Sequence, residues 1–379
     1  MPTSPLVSRL QQAAIPLLFI LLGVVYATWA ARIPSIRDAL QLNAAQLGLV
    51  LLGGGVGAVA SFPIAAGLVH HRGARHAAWY AGLALLLVLP CLALAPGMAW
   101  LIVAMLGLGA ASSCFDVAIN ALGAEAENTA GRSIMSLLHA WFSVGALAGA
   151  LLGSVMAGAG VTPLLHFSLI AIFLAPVLWV AYHGLPPDGG VEPTAGAKPF
   201  AIPHGPLVVL GVIGFCGAMA EGSIADWSGI FMKDQLGAGD AVTPLAFAAF
   251  AALMLVARLV CDRLKDRFGA RRVVAVGALM AAGGTFIAVL ALNVPLTIAG
   301  FALTGAGLAA VFPFVFSAAG RHGPTALAGV ATLSYSGSLI GPPVIGFLAH
   351  GWGMRAAFAA IGLLGVIIAV AASRARWLE

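Results

Sequence analysis

CDRLKDRFGARRV (261–273) closes one long apolar run, and GLVHHRGARH (67–76) closes another about 195 residues earlier. Around these two loops the apolar sequence is laid out twice. IRDALQL (36–42) follows the first apolar span and MKDQLG (232–237) follows the seventh, at an offset of 196. LGLGAA (106–111) on span four matches TGAGLA (304–309) on span ten, at an offset of 198. Gly145 and Gly149 on span five answer Gly337 and Gly341 at an offset of 192. Four echoes at nearly one offset imply a duplicated six-span unit, its copies related by an axis along the membrane normal.

Composition sets the class. The 379 residues are 61% hydrophobic and only 8% charged, with a mean hydropathy of +1.04. Soluble domains carry about 25% charged residues, so this chain has too little polar surface to cover itself with. It reads as an all-α, multi-pass membrane protein. A span needs about 20 apolar residues, and twelve fit: 13–31, 44–69, 76–95, 99–122, 134–158, 163–183, 206–231, 243–261, 272–292, 295–318, 326–349 and 354–373. The N-terminus imitates a secretory signal, with Arg9, an apolar run and ATWAA at 27–31. It is read as retained, because this span has a counterpart in the second half. Cys91, Cys114, Cys216 and Cys261 form no CxxC pair and read as small packing residues.

Lys and Arg orient the spans. With the N-terminus inside, thirteen of them, from Arg9, Arg72 and Arg75 to Arg132, Lys198, Arg374 and Arg376, fall on the inner side. Four, Arg32, Arg37, Lys233 and Arg355, fall outside, and Arg258 lies within span eight. Both termini are therefore expected in the cytoplasm. The net charge of +5 reports this orientation and gives no sign of nucleic-acid binding. The longest break, with Pro186, Pro187, Pro193, Pro199 and Pro203, divides the chain. The expected domains are an N-terminal six-helix bundle (1–184), a cytoplasmic linker (185–205) and a C-terminal six-helix bundle (206–379).

Asp266-Arg267-Phe268-Gly269, followed by Arg271 and Arg272, resembles the inner-loop signature of the major facilitator superfamily. The resemblance covers essentially the whole chain. In the first copy His71 stands where the family has Asp, and Ala74 where it has Gly. FDVAINA (115–121), GRSIMSLLHAWFSVG (131–145) and EGSIADWS (221–228) look like a bacterial inner-membrane group related to the fucose:proton symporter branch. The resemblance implies two pseudo-symmetric six-helix bundles, a cavity lined by helices one, four, seven and ten, and coupling carboxylates on helices one and four. Here Asp116 stands on helix four, and helix one has no acid within its span. Drug:proton antiporters of the family carry an arginine four residues before the Gly-x-Gly of helix four. This chain has Val103 there, which lowers the case for an efflux antiporter.

A carboxylate at bilayer depth costs at least about 2.5–3.5 kcal/mol, so it needs a partner, a proton or a wet cavity. Asp116 shares one helical face with Ser112 and Asn120. It reads either as a proton carrier on a cavity wall or as a latch to an inner-loop arginine. Its mate at the 198-residue offset is Phe314. Glu221, about 22 Å into span seven, reads as a coupling group or as half of an outer-gate pair with Arg32 or Lys233. Asp226 is expected further out, in water. His139 reads as a proton relay or an interhelical bond, and Asn120 as a substrate contact or a bridge.

Tyr26, Trp29, Phe115, Trp141, Phe312 and Tyr335 stand on candidate cavity faces; the helices implied by the resemblance favour Tyr26, Trp29 and Phe312. Trp29 is read alternatively, and Trp227 by preference, as an interfacial anchor. Arg258, Asp262 and Asp266 fall four apart; with Arg72, Arg267 and Gly269 they read as an inner-gate charge network. Gly341, Pro342 and Pro343 read as a hinge in span eleven, or as static packing. Gly145, Gly149 and Gly153 read as one packing stripe.

No metal-ligand, phosphate-loop or nucleophile pattern occurs, so no cofactor, metal or enzymatic activity is expected. The chain is expected to be a monomeric, proton-coupled secondary transporter of a small polar or amphipathic solute in the bacterial inner membrane. The alternatives are a drug or metabolite efflux antiporter, and a non-transporting receptor on the same fold.

Overall fold

The computed structural model describes residues 5–130, 134–185 and 203–378. Arg132, Lys198 and Pro186, Pro187, Pro193 and Pro199 of the expected linker lie outside the described residues. The described residues form helices joined by short turns, and no strand occurs among them. The helices are α1 (Pro5–Ala39), α2 (44–72), α3 (74–93), α4 (Met98–Ala130), α5 (Met135–Gly158) and α6 (Pro163–Gly184). They continue with α7 (Leu207–Leu236), α8 (Leu245–Phe268), α9 (Ala270–Leu290), α10 (Val294–Gly320), α11 (Pro324–Trp352) and α12 (Met354–Arg374). A turn at Ala309 and Ala310 breaks α10 in two. This is the expected all-α membrane architecture of twelve spans.

Local chemistry marks the helix starts. Asn43 and Gln46 exchange side-chain-to-backbone hydrogen bonds of 2.9 Å, a reciprocal cap that opens α2. The Thr162 hydroxyl accepts from Leu165 N, and Asn293 Oδ1 accepts from Leu296 N, each beside a proline in the first turn.

The α2–α3 and α8–α9 junctions correct one reading of the repeat. Gly73 has φ 81 and Gly269 has φ 82, with extended ψ at both. Only glycine adopts this conformation readily. The glycine of the first loop is therefore present, at Gly73, and the copies align 196 residues apart. On that alignment His70, not His71, stands opposite Asp266, and Ala74 matches Ala270.

The chain forms two compact units: Met1–Leu42 with Gly53–Pro193, and Asn43–Leu52 with Thr194–Glu379. In the first, α5 lies against α1 along the expected glycine stripe. A Cβ on Gly145 would strike Ile20 O, one on Gly149 would lie 2.7 Å from Val24 O, and one on Gly153 would strike Ala31. In the second, Gly337 meets Phe215 O and Gly341 meets Met219, so α11 seats on α7 in the same way. Small residues let the backbones touch where lipid supplies no hydrophobic drive between helices.

The α4 and α10 match is corrected too. Gly109 meets Gly54 O, and Gly305 meets Phe250 O. Both pairs are related by 196 residues, not the 198 read from sequence. The mate of Asp116 is thus Phe312, not Phe314.

Trp227 is fully buried, with 0% exposure, and is not an interfacial anchor. The reason is length: α7 runs on to Leu236, so Trp227 is not at a helix end. Gly346 leaves room for its ring, since a Cβ there would lie 3.1 Å from Trp227 Cζ2. Trp29 is likewise enclosed, at 3% exposure, because α1 extends to Ala39.

Candidate transport site

In the first unit Asp116 is half-buried on α4. Asn120 Nδ2 donates to its Oδ1 at 2.9 Å and to its backbone oxygen at 2.8 Å. Among the described residues this neutral amide is the only hydrogen-bond partner of the Asp116 carboxylate, and no cation pairs with it. Ser112, one turn earlier, is half-buried as well. His139 is exposed on α5, its ring edge-on to Phe19 at 5.4 Å. Tyr26 is half-buried and packs 6.2 Å from Phe142. Phe115 is fully buried, which makes it a core residue.

Among the described residues of the second unit, Glu221 does not pair with Lys233. Lys233 bonds Asp240 at 2.7 Å, and Arg32 donates to His166 and to Val161 O. The cation beside Glu221 is Arg258 of α8, at 3.9 Å. Arg258 thus stands with Glu221 in mid-helix, away from the exposed Asp262 and Asp266, which make no ion pair among the described residues. Asp226 is half-buried and also lacks an ion pair or hydrogen bond among the described residues. Phe312, Phe316 and the exposed Tyr335 form a chain of rings 5.6 and 6.1 Å apart. Gly341, Pro342 and Pro343 are buried inside continuous α11. Arg72 is exposed, as are Arg267 and Gly269.

The fold and these intramembrane polar groups can be set beside known proteins. The chain is 34% identical over 366 residues to an uncharacterized MFS-type transporter of Yersinia pestis, covering 96% of this chain and 95% of that one. The chain belongs to the major facilitator superfamily. The superfamily model itself matches residues 210–379. Two solved structures share the fold. A bacterial homologue of the human lysosomal transporter Spinster superimposes with a TM-score of 0.77 at 17% identity, covering 99% of this chain and 97% of that one. The Escherichia coli fucose:proton symporter FucP superimposes with a TM-score of 0.64 at 16% identity, covering 95% and 97%. This facilitator is therefore a multi-pass membrane transporter, and its class of cargo is a small-molecule solute.

Sequence reasoning missed one buried polar pair of this facilitator. Arg32 Nε donates to His166 Nδ1 at 3.0 Å, with Arg32 3% and His166 0% exposed. A lone histidine early in an apolar span signals a polar partner; Arg32 lies within α1, which runs on to Ala39, and not in an outer loop. Phe142 and Phe316, the ring partners of Tyr26 and Phe312, carry no sequence signal that separates them from ordinary apolar residues.

Proposed function

We propose that this facilitator is a proton-coupled secondary transporter, moving a small polar or amphipathic solute across the bacterial inner membrane by alternating access. The carrying observation is the Asp116–Asn120 pair. A carboxylate within a membrane span, half-buried, held by a neutral amide and unpaired with any cation among the described residues, is suited to take up and release a proton. Protonation and release at Asp116 therefore provide the coupling step. Glu221 beside Arg258 serves a different end: its charge is matched within the protein, so it fixes helices or contacts solute. In the second unit the Phe312–Phe316–Tyr335 rings offer flat faces for a sugar ring or another amphipathic solute; in the first, Tyr26 is a separate candidate solute contact.

The proposed arrangement is a monomer with bundles at 1–184 and 206–379, joined by a linker at 185–205, and with both termini cytoplasmic. Gly341, Pro342 and Pro343 are the proposed bend in α11, because each proline removes a helical hydrogen bond. Arg72, Arg267, Asp262, Asp266 and Gly269 are assigned to the inner gate.

Uptake into proteoliposomes under an imposed pH gradient, screened over sugars, nucleosides, amino acids and organic cations, tests this reading. Solute accumulation that collapses with the gradient supports it. Flux that ignores the gradient overturns the coupling, and specific binding without flux identifies a receptor.

A further inference from the structure

The seam between α7 and α11 gathers oxygen atoms that the proposed coupling step leaves unused. The two helices run the same way and meet through small residues, Gly337 against Phe215 O and, further along, Gly346 against the Trp227 ring. Between those contacts Gly222 faces Ser338, since a Cβ on it would lie 3.8 Å from Ser338 Cβ. One turn on, Asp226 therefore comes level with Pro342. Asp226 is half-buried and has neither ion pair nor hydrogen bond among the described residues. Ser223, three residues earlier on the same face, is 0% exposed, and its Oγ has no hydrogen-bond partner among the described residues. That oxygen is turned to α11, where a Cβ on Gly341 would lie 3.1 Å from it.

α11 brings acceptors to this level and no charge. Pro342 and Pro343, both buried, have no N–H to give to the carbonyls of Ser338 and Leu339. Helix carbonyls point towards the C-terminus, so that of Ser338 is directed at the level where Asp226 stands. α11 contains no Asp, Glu, Lys or Arg. Of the cations in the second unit, Arg258 stands with Glu221 and Lys233 with Asp240.

We propose that Asp226, Ser223 and the carbonyls released by Pro342 and Pro343 bind a sodium ion at the α7–α11 crossing. Every donor in this set is a hard oxygen, which suits an alkali or alkaline-earth ion and not a soft transition metal. A single carboxylate matches a single positive charge and would leave a divalent ion under-neutralised. Backbone carbonyls released from helix hydrogen bonding coordinate Na+ in other membrane transporters. The half-buried Asp226 gives the ion a way in, and the enclosed Ser223 hydroxyl takes its inner side. The bound ion ties α7 to the bend of α11. It is separate from the proton step proposed at Asp116, which lies in the first unit.

The test follows thermal unfolding of purified full-length protein in nanodiscs, in sodium, potassium or choline chloride at equal ionic strength and fixed pH. Sodium is expected to raise the wild-type Tm along a saturating titration, because an ion that binds only the folded state stabilises it. Potassium and choline should not. Asp226→Asn and Ser223→Ala should each move the sodium midpoint up by about tenfold or more. Asp116→Asn should titrate as the wild type does, so this outcome stands apart from that of the proton-coupling experiment. If Asp226→Asn does not assemble, Pro342→Ala, which returns an N–H to the Ser338 carbonyl, should still weaken the sodium response. The proposal is overturned by a wild type indifferent to sodium, by equal stabilisation in potassium or choline chloride, or by an Asp226→Asn variant with an unchanged midpoint. It is overturned as well if only acidification stabilises the protein, which assigns Asp226 to a proton.

Discussion

Arg258 Nη2 lies 3.9 Å from Glu221 Oε1 and ties the middle of α8 to the middle of α7. Their side chains are 17% and 28% exposed, so water screens the pair only in part. Glu221→Gln and Arg258→Gln are each expected to lower the unfolding temperature in detergent. The double variant should lose less than the sum, with a coupling of about 0.5–3 kcal/mol. Additive single effects would show that the two groups do not interact.

Asp116 has a neutral partner, and that difference from Glu221 predicts a different phenotype. Asp116→Asn should cut solute accumulation driven by a pH gradient by about tenfold or more, a change of about 1.4 kcal/mol. Solute exchange across the membrane, which needs no net proton movement, should persist. Asn120→Ala removes only the amide and should shift the pH dependence while accumulation survives. If Asp116→Asn accumulates solute as the wild type does, the coupling role is lost.

The α1–α5 seam separates glycines that matter from those that do not. Gly145→Ala places a methyl against Ile20 O and should destabilise the protein by about 1–3 kcal/mol through overpacking. Gly67→Ala meets nothing within 4 Å and should be neutral or slightly stabilising, since alanine is the better helix former. Thermal unfolding of the two variants side by side decides this, and equal effects would contradict the seam.

Arg32 and His166 form a buried polar pair that joins α1 to α6. Arg32→Ala leaves His166 Nδ1 and Val161 O without the donor each now has. About 1–3 kcal/mol per orphaned acceptor is the expected cost, read as a lower Tm with the solute preference unchanged. A shift in solute preference at unchanged Tm would instead move Arg32 into the transport path.

Much of the architecture was legible because the signals are local. Twelve apolar runs, the asymmetric Lys and Arg, and the repeat needed no contact information. The repeat register was less secure. Weak echoes tolerate slips of one or two residues, and only the shared backbone conformation of Gly73 and Gly269 and the paired contacts of Gly109 and Gly305 set it at 196. Within α4, Asp116 and Asn120 were readable as a pair, because residues four apart on one helix meet whatever surrounds them.

Sequence by itself determined that this chain crosses a membrane repeatedly, that it was built by duplication, and that Asp116 is a charge in an apolar span. Tertiary structure alone decided which group answers each charge: Arg258 for Glu221, His166 for Arg32, Asp240 for Lys233 and Asn120 without a cation for Asp116. The physical reason is rotation. A membrane helix apolar on nearly every face carries no moment that says which side meets which neighbour. The small residues at each crossing set that rotation, and with it the partner of every buried polar group.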